Sequence, residues 1–427
     1  MPPGHALASV SDHDLVAAVA AEQDWIESLL ERLVVVPSTL GEEEPAQVVV
    51  ADALREIGLE PLDVPMDAEA LRASPLAAPF GWDVAGKRNV VATWRAAGSG
   101  GRSLTLNGHV DVVPPAAESL WTAPPFTPVR DGDWLVGRGA GDMKGGLAAI
   151  LGAVRALRGL GLAPLADVQL QSVVEEECGG NGALQCLLSL PHTDAAVIPE
   201  PFPGAISVSQ VGVLWFHVEI EGIPVHVGDA GEGVNAIDAA VRVIARLREL
   251  EAELNDRPPP PYDALPHPIN LNVGVIRGGD WPSTVPAACT LSCRVALFPG
   301  QDVAELRRLV EGAVARSTGD HAWLERHPPR VRYEGFAGRG VEVPHDAPIV
   351  RALAAAHEAV AGSTPALVPT TATTDARVFV ESGIPTVCHG PLAERIHGVD
   401  ERVHLPSVAT TAQTLALLIR DWCGVTA

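Results

Sequence analysis

Three short apolar runs, Ser103–Val110, Asp167–Val174 and Asp194–Ile198, each stop at a turn, and between the first two lies Gly145–Leu157, apolar on most sides. Runs of the shorter length predict buried strands, and the longer one a buried helix. Strand, helix, strand in this order constrains the chain to a mostly parallel α/β sheet, because parallel neighbours need a crossover and a helix supplies it. In such sheets functional groups collect at the carboxyl ends of the strands. Amphipathic spacing predicts two helices ahead of the sheet, Trp25–Val36, stopped by Pro37, and Pro45–Ile57, closed by Gly58.

At 427 residues the chain exceeds what one core normally supports. The pattern changes after Pro203. In Val213–Glu221, Leu214, Phe216, Val218 and Ile220 alternate with Trp215, His217 and Glu219, a strand with one wet face. A helix over Asn235–Leu254, the proline run Pro258–Pro261, strands over Ile269–Ile276 and Ala288–Leu297, and a helix over Val303–Arg316 follow. From Arg330 the earlier style returns, with helices expected at Ala347–Val360 and Ser407–Trp422. The expected organisation is a first domain over 1–206, an inserted α+β unit over 207–324, and completion of the first domain by 325–427.

Charge narrows the function classes. The 30 Lys+Arg against 53 Asp+Glu leave a net charge of −23, which argues against nucleic-acid or anionic-membrane partners, since both rely on clustered cations. Cys178, Cys186, Cys289, Cys293, Cys388 and Cys423 form no Cys-x-x-Cys pair and no disulfide framework. Met1–Trp25 carries Asp12, Asp14, Glu22 and Asp24 where a signal peptide needs a basic start, and no apolar run approaches a membrane span. A soluble, cytoplasmic protein is expected.

Metal-ligand residue types gather where predicted strands end. GHVDVVP (108–114) places His109 and Asp111 two apart, so that Asp111 can accept a hydrogen bond from the His109 ring and orient its other nitrogen. GRGAGDMKGG (137–146) sets Asp142 in a glycine-rich turn before the buried helix, without the spacing of a phosphate loop. Glu175–Glu177 end a strand, and three successive carboxylates at a core edge repel one another unless a cation lies between them. A solvated acidic turn is the bland alternative. Glu200 follows another strand, and His397 lies near the last helix. Together His109, Asp142, Glu177, Glu200 and His397 supply two imidazoles and three carboxylates, a set suited to zinc and tolerant of cobalt or manganese.

These motifs, in this order from about Trp25 to the end, resemble the zinc-dependent family of acetylornithine deacetylase, succinyl-diaminopimelate desuccinylase, aminoacylases and the carboxypeptidase G type. The resemblance implies a mostly parallel-sheet dinuclear metallohydrolase domain with an inserted, ferredoxin-like dimerisation domain. It implies that Asp142 bridges two divalent ions, zinc or else cobalt, one completed by His109 and Glu200 and the other by Glu177 and His397. Glu176 would be the general base, with base Glu175 and ligand Glu176 as the alternative register. His226 in GIPVHVG (222–228) matches the imidazole that steadies the oxyanion, in dimeric relatives from the partner subunit. Asn272, Gly274 and Arg294 match substrate-pocket positions, although Ser292 stands where the family has Asp. Thr374, Asp375 and Arg377 resemble a loop that handles a substrate carboxylate; Asp375 could equally hold Arg377 as an ion pair. The implied activity is removal of an N-acyl group from a small amino-acid-like substrate by a cytoplasmic homodimer. The alternatives are a dipeptidase or carboxypeptidase, or a metal-binding oligomer without catalysis.

Overall fold

In the computed structural model, which describes residues 10–427, the polypeptide builds two hydrophobic cores on two main sheets. Residues 1–9, the start of the stretch read for a leader, lie outside the described residues.

The larger sheet has nine strands. Its centre is β1 (Leu104–His109), flanked by β2 (Val168–Val173) and β3 (Ala195–Ile198), with Thr386–Cys388 beyond β3, all parallel. Every residue of these strands is buried, as expected of strands covered on both faces. The crossover from β1 to β2 is α1 (Gly145–Gly159), buried on nearly every side in keeping with its all-round apolar sequence. Arg88–Trp94 joins β2 and β4 (Ala205–Gln210) joins Thr386–Cys388 in antiparallel fashion. The parallel centre is therefore joined to both margins by antiparallel pairs, and Ala366–Thr370 adds a parallel neighbour to β4.

The chain leaves this sheet at Val211. It then forms β5 (Gly212–Glu221), α2 (Ala236–Leu254), β6 (Leu271–Gly278), β7 (Ala288–Leu297) and α3 (Val303–Arg316). The strands pair antiparallel in the order β6-β7-β5-Arg330–Arg332. Leu214, Phe216, Val218 and Ile220 are buried in the core shared with α2 and α3, while Trp215, His217 and Glu219 alternate onto the other face. The return to the large sheet comes at Val341–Glu342, which pairs with β4. It falls later than residue 325 because Arg330–Arg332 and Ala337–Gly338 both pair with β5. At the other end β4 stays with the large sheet.

A four-stranded sheet of Val129–Asp131, Trp134–Val136, Ala393–Glu394 and Arg402–His404 was not legible in the sequence. It ties the loop carrying His397 to the segment leading into Asp142. The C-terminal helix α4 (Leu405–Leu418) packs on α1 and widens into a last turn over Ile419–Cys423. All six cysteines are buried and unpaired. Among the described residues no helix is long and apolar enough to cross a membrane.

Candidate metal centre

The five expected ligands arrive on the carboxyl ends of the strands and on the turns beside them. His109 ends β1 and is 1% exposed. Its Nδ1 lies 2.8 Å from the backbone carbonyl of Asp111, which fixes the ring. Its Nε2 faces Asp142 Oδ1 at 3.2 Å, Glu200 Oε1 at 3.7 Å and Glu176 Oε2 at 3.9 Å. The partner expected for Nδ1 was the Asp111 carboxylate, which instead lies 3.7 Å away. That carboxylate accepts the backbone N–H groups of Glu176 and Glu177 at 3.2 and 3.0 Å, because the strand end brings the acidic turn over it. Asp111 thus holds the turn, and its backbone holds the ring.

Asp142 stands between the two imidazoles. Its other oxygen, Oδ2, lies 3.2 Å from His397 Nε2, and Glu177 Oε2 lies 3.1 Å from the same nitrogen. Two close approaches set these positions. A Cβ on Gly146 would fall 2.2 Å from the Pro199 carbonyl oxygen, and one on Gly390 would fall 2.4 Å from that of Glu200. Only glycine lets α1 and the Gly390 turn press against the end of β3, where Glu200 emerges.

Glu175 is set apart from the cluster. Its backbone takes φ +63°, and its Oε1 accepts from Lys87 Nζ at 2.9 Å and Trp82 Nε1 at 2.8 Å. Lys87 also bonds Glu43 at 2.9 Å. Glu175 therefore faces a buried cation, whereas Glu176 and Glu177 face the imidazoles. Of the three successive carboxylates, the two that face the imidazoles are thus the second and third.

The electrostatics are those of buried carboxylates crowded around two imidazoles. Burial, reinforced by the charge of Asp142, pushes Glu200 well above and Glu177 above the ordinary range. Burial also pushes Glu176 well above it. Burial works against protonated His397, but hydrogen bonds to Asp142 and Glu177 outweigh it and raise the ring to about 10. His109 is likewise raised well above its usual value, burial being outweighed by Asp142, Glu176, Asp111 and Glu200.

Divalent ions fit this set. Ligating atoms of His109, Asp142 and Glu177 lie within 4.8 Å of one another. Nitrogen and oxygen donors about 2.1 Å from one tetrahedral zinc sit about 3.4 Å apart, and the contacts among the five expected ligands run from 3.1 to 3.7 Å. The nearby cations are engaged elsewhere: Lys87 with Glu43 and Glu175, and Arg138 with Glu401.

A cavity of about 570 Å³ opens above the cluster. Arg294 and Thr374 line it, as expected, although the Thr374 hydroxyl already donates to Gln210 Oε1 at 2.8 Å. Asn272 is exposed on β6 and does not line the cavity, where Asn270 stands instead. Gly274 is exposed at the register shift of that strand. Arg377, expected to grip a substrate carboxylate, is 1% exposed and donates to the carbonyls of Gly179 and Leu76 at 2.9 and 3.2 Å. Its ion-pair partner is Glu381 at 3.4 Å rather than Asp375. The helical turn that begins at Ala376 points it into the core. Asp375 is buried, with neither carboxylate oxygen hydrogen-bonded, and burial raises it to about 7. His226 is exposed at the start of the Val227–Glu232 turn and meets none of the cluster residues within the chain. Cys178 is buried and its thiol is pushed well up by burial, which suits a packed side chain and not a nucleophile.

Sequence reading missed the residues that hold the candidate ligands. Arg138 and Glu401 form an ion pair with both side chains 1% exposed. Glu401 Oε1 accepts from the backbone N–H groups of Gly141 and Asp142 at 3.0 and 3.1 Å, and Arg138 donates to the His397 carbonyl at 3.2 Å. Arg138 lies inside the glycine-rich motif around Asp142 and Glu401 four residues after His397, so both stand beside noticed residues without an indication of pairing.

A model of the peptidase family M20/M25/M40 matches residues 105–421. The N-formyl-4-amino-5-aminomethyl-2-methylpyrimidine deformylase of Bacillus subtilis is 31% identical over 364 residues, covering 80% of this chain and 85% of its own. The acetylornithine deacetylase of Erwinia tasmaniensis is 30% identical over 347 residues, with 80% and 85% covered. Human carnosine dipeptidase 1 has the same fold, with a TM-score of 0.76 at 17% identity over 98% of this chain and 100% of its own.

Proposed function

The chain belongs to peptidase family M20/M25/M40, whose members here are hydrolases of amide bonds, and from that premise we propose a dinuclear deacylase that frees a small amine from its N-acyl form. The observation that carries this reading is the placement of Asp142 between His109 and His397, with Glu200 and Glu177 alongside and Glu176 turned to the same cavity floor. His109, Asp142 and Glu200 would hold one ion, and Asp142, Glu177 and His397 the other, zinc or cobalt by their donor atoms. Bound divalent cations supply Lewis acidity to an amide carbonyl and make water more acidic.

Glu176 takes the proton of the attacking water and passes it to the leaving nitrogen. Its burial keeps the proton exchange out of bulk solvent. Asp111 sets where Glu176 stands, through the backbone bond at 3.2 Å. His226 steadies the developing oxyanion from a second copy. Its exposure on the insert supports action in trans, as does the edge position of β6, where Val275 and Ile276 are 42% and 53% exposed. The relatives' substrates make N-formyl and N-acetyl amines the first candidates, in a cytoplasmic homodimer.

The test is a panel of N-formyl, N-acetyl and N-succinyl amines and dipeptides, including the formylaminomethyl pyrimidine and acetylornithine, incubated with zinc- or cobalt-loaded protein. Amine release from at least one acyl amine, faster than from the dipeptides, is expected. Cleavage of dipeptides alone would replace the deacylase reading with a peptidase.

A further inference from the structure

The insert's sheet contributes one wall of the cavity, and its composition restricts what the cavity accepts. Trp215 on β5 and Arg294 on β7 are direct cross-strand partners, so their side chains stand together on one face. The indole is held firmly. A Cβ on Gly335 would fall 2.4 Å from Trp215 Cε3, so that residue's backbone covers part of the ring. Phe336 meets it edge-on at 5.7 Å and 66°, and the Phe336 carbonyl accepts the Trp215 backbone N–H at 2.7 Å. Trp215 and Phe336 both line the cavity.

Among the described residues, neither side chain of this rung has an acceptor for its N–H groups. Ser292, two residues before Arg294, carries no charge and faces His217 Nδ1 at 2.9 Å. Among the described residues no carboxylate lies within ion-pair distance of Arg294, and Trp215 Nε1 makes no hydrogen bond. The cavity floor is the acidic cluster, whose carboxylates offer acceptors and no donor of their own when ionised. A ligand spanning floor and wall must bring its own acceptor to Arg294.

We propose that Trp215 and Arg294 form the specificity wall: distal to the scissile amide, the site takes a flat aromatic or heteroaromatic ring carrying a carboxylate or another hydrogen-bond acceptor. The ring stacks on the indole and the acceptor meets the guanidinium. This inference rests on the amide-hydrolase reading and names the substrate class for that site.

A matched set of amides tests it with the zinc-loaded protein. N-acetyl-4-(aminomethyl)benzoate has a ring and a carboxylate, N-acetyl-4-(aminomethyl)cyclohexanecarboxylate loses the aromaticity, and N-acetylbenzylamine loses the carboxylate. The aromatic acid should be favoured in kcat/KM over the saturated acid by about tenfold. Trp215→Leu should remove that preference and Trp215→Phe should restore most of it. Arg294→Gln should remove the advantage over the benzylamine. Equal turnover of both acids, or an equal fall for both in Trp215→Leu, overturns the inference. If no amide is cleaved, the hydrolase reading fails instead, and calorimetry with the free amines judges the wall separately. Tighter binding of 4-(aminomethyl)benzoate than of its saturated analogue supports the wall, and equal binding overturns it.

Discussion

Replacing Arg138 by Met removes a buried cation while keeping most of the side-chain volume. In the native chain Arg138 and Glu401 are each 1% exposed, so solvent screens neither. The substitution leaves the Glu401 carboxylate buried beside Asp142 with only the Gly141 and Asp142 N–H groups. Breaking a buried pair from one side costs about 3–5 kcal/mol. The same change releases the His397 carbonyl, and loss of a group that orients metal ligands typically lowers metal affinity about 10–100-fold. Burial and the charge of Asp142 already raise Glu401 above the ordinary carboxylate range, and Arg138 opposes them. Without Arg138 the folded-state pKa rises further above the unfolded one, so the folded variant binds the extra proton. Its deficit relative to wild type should be smallest below the ordinary carboxylate range and should grow as the pH rises through the folded-state pKa of Glu401. Urea unfolding of chelator-treated wild type and variant between pH 4 and 8, with zinc affinity from competition against a chromophoric chelator, measures both effects. Equal unfolding midpoints and equal affinities across that range would refute the clip between the two turns.

Gly146→Ala places a Cβ 2.2 Å from a backbone oxygen that cannot swing aside. It should cost about 1–3 kcal/mol and, by shifting Glu200, lower metal content, read by mass spectrometry of the dialysed protein. Zinc binding near pH 7 should release protons, because the metal-free cluster holds His397 at about 10 and raises His109. Calorimetry in buffers of different ionisation enthalpy should therefore give different heats, and identical heats would contradict the protonated cluster. His226→Ala should lower kcat by about 10²–10³ without metal loss. Coexpression with Glu176→Gln should recover activity above either parent, whereas an imidazole acting within its own chain would leave the mixture inactive.

The buried strands, the crossover helix and the alternation of β5 were legible because each is a local pattern with its own period. The candidate ligands stood out for a related reason: His109, Asp142 and Glu200 are polar groups at the ends of apolar runs, where burial demands a partner. What could not be read was which polar groups pair across the chain. Arg138 and Glu401 are 263 residues apart, and nothing local marks them as partners. Arg377 looked like a substrate grip because the sequence shows a cation in a polar loop but not that a helical turn points it inward. Asn272 was expected on the cavity wall, yet Asn270, two residues earlier, lines it. The short strands around Trp134 and Ala393 are only two or three residues long, below what period-two alternation can reveal.

The most direct test of a dinuclear hydrolase is to count metal and turnover in the same samples. Wild type and Glu176→Gln would be stripped with chelator, reloaded with zinc or cobalt, and assayed on the best N-acyl amine. Two ions per chain in both proteins are predicted, with activity rising as wild type is loaded and Glu176→Gln slower by about 10²–10⁴. Full turnover by stripped protein, or by loaded Glu176→Gln, would contradict it.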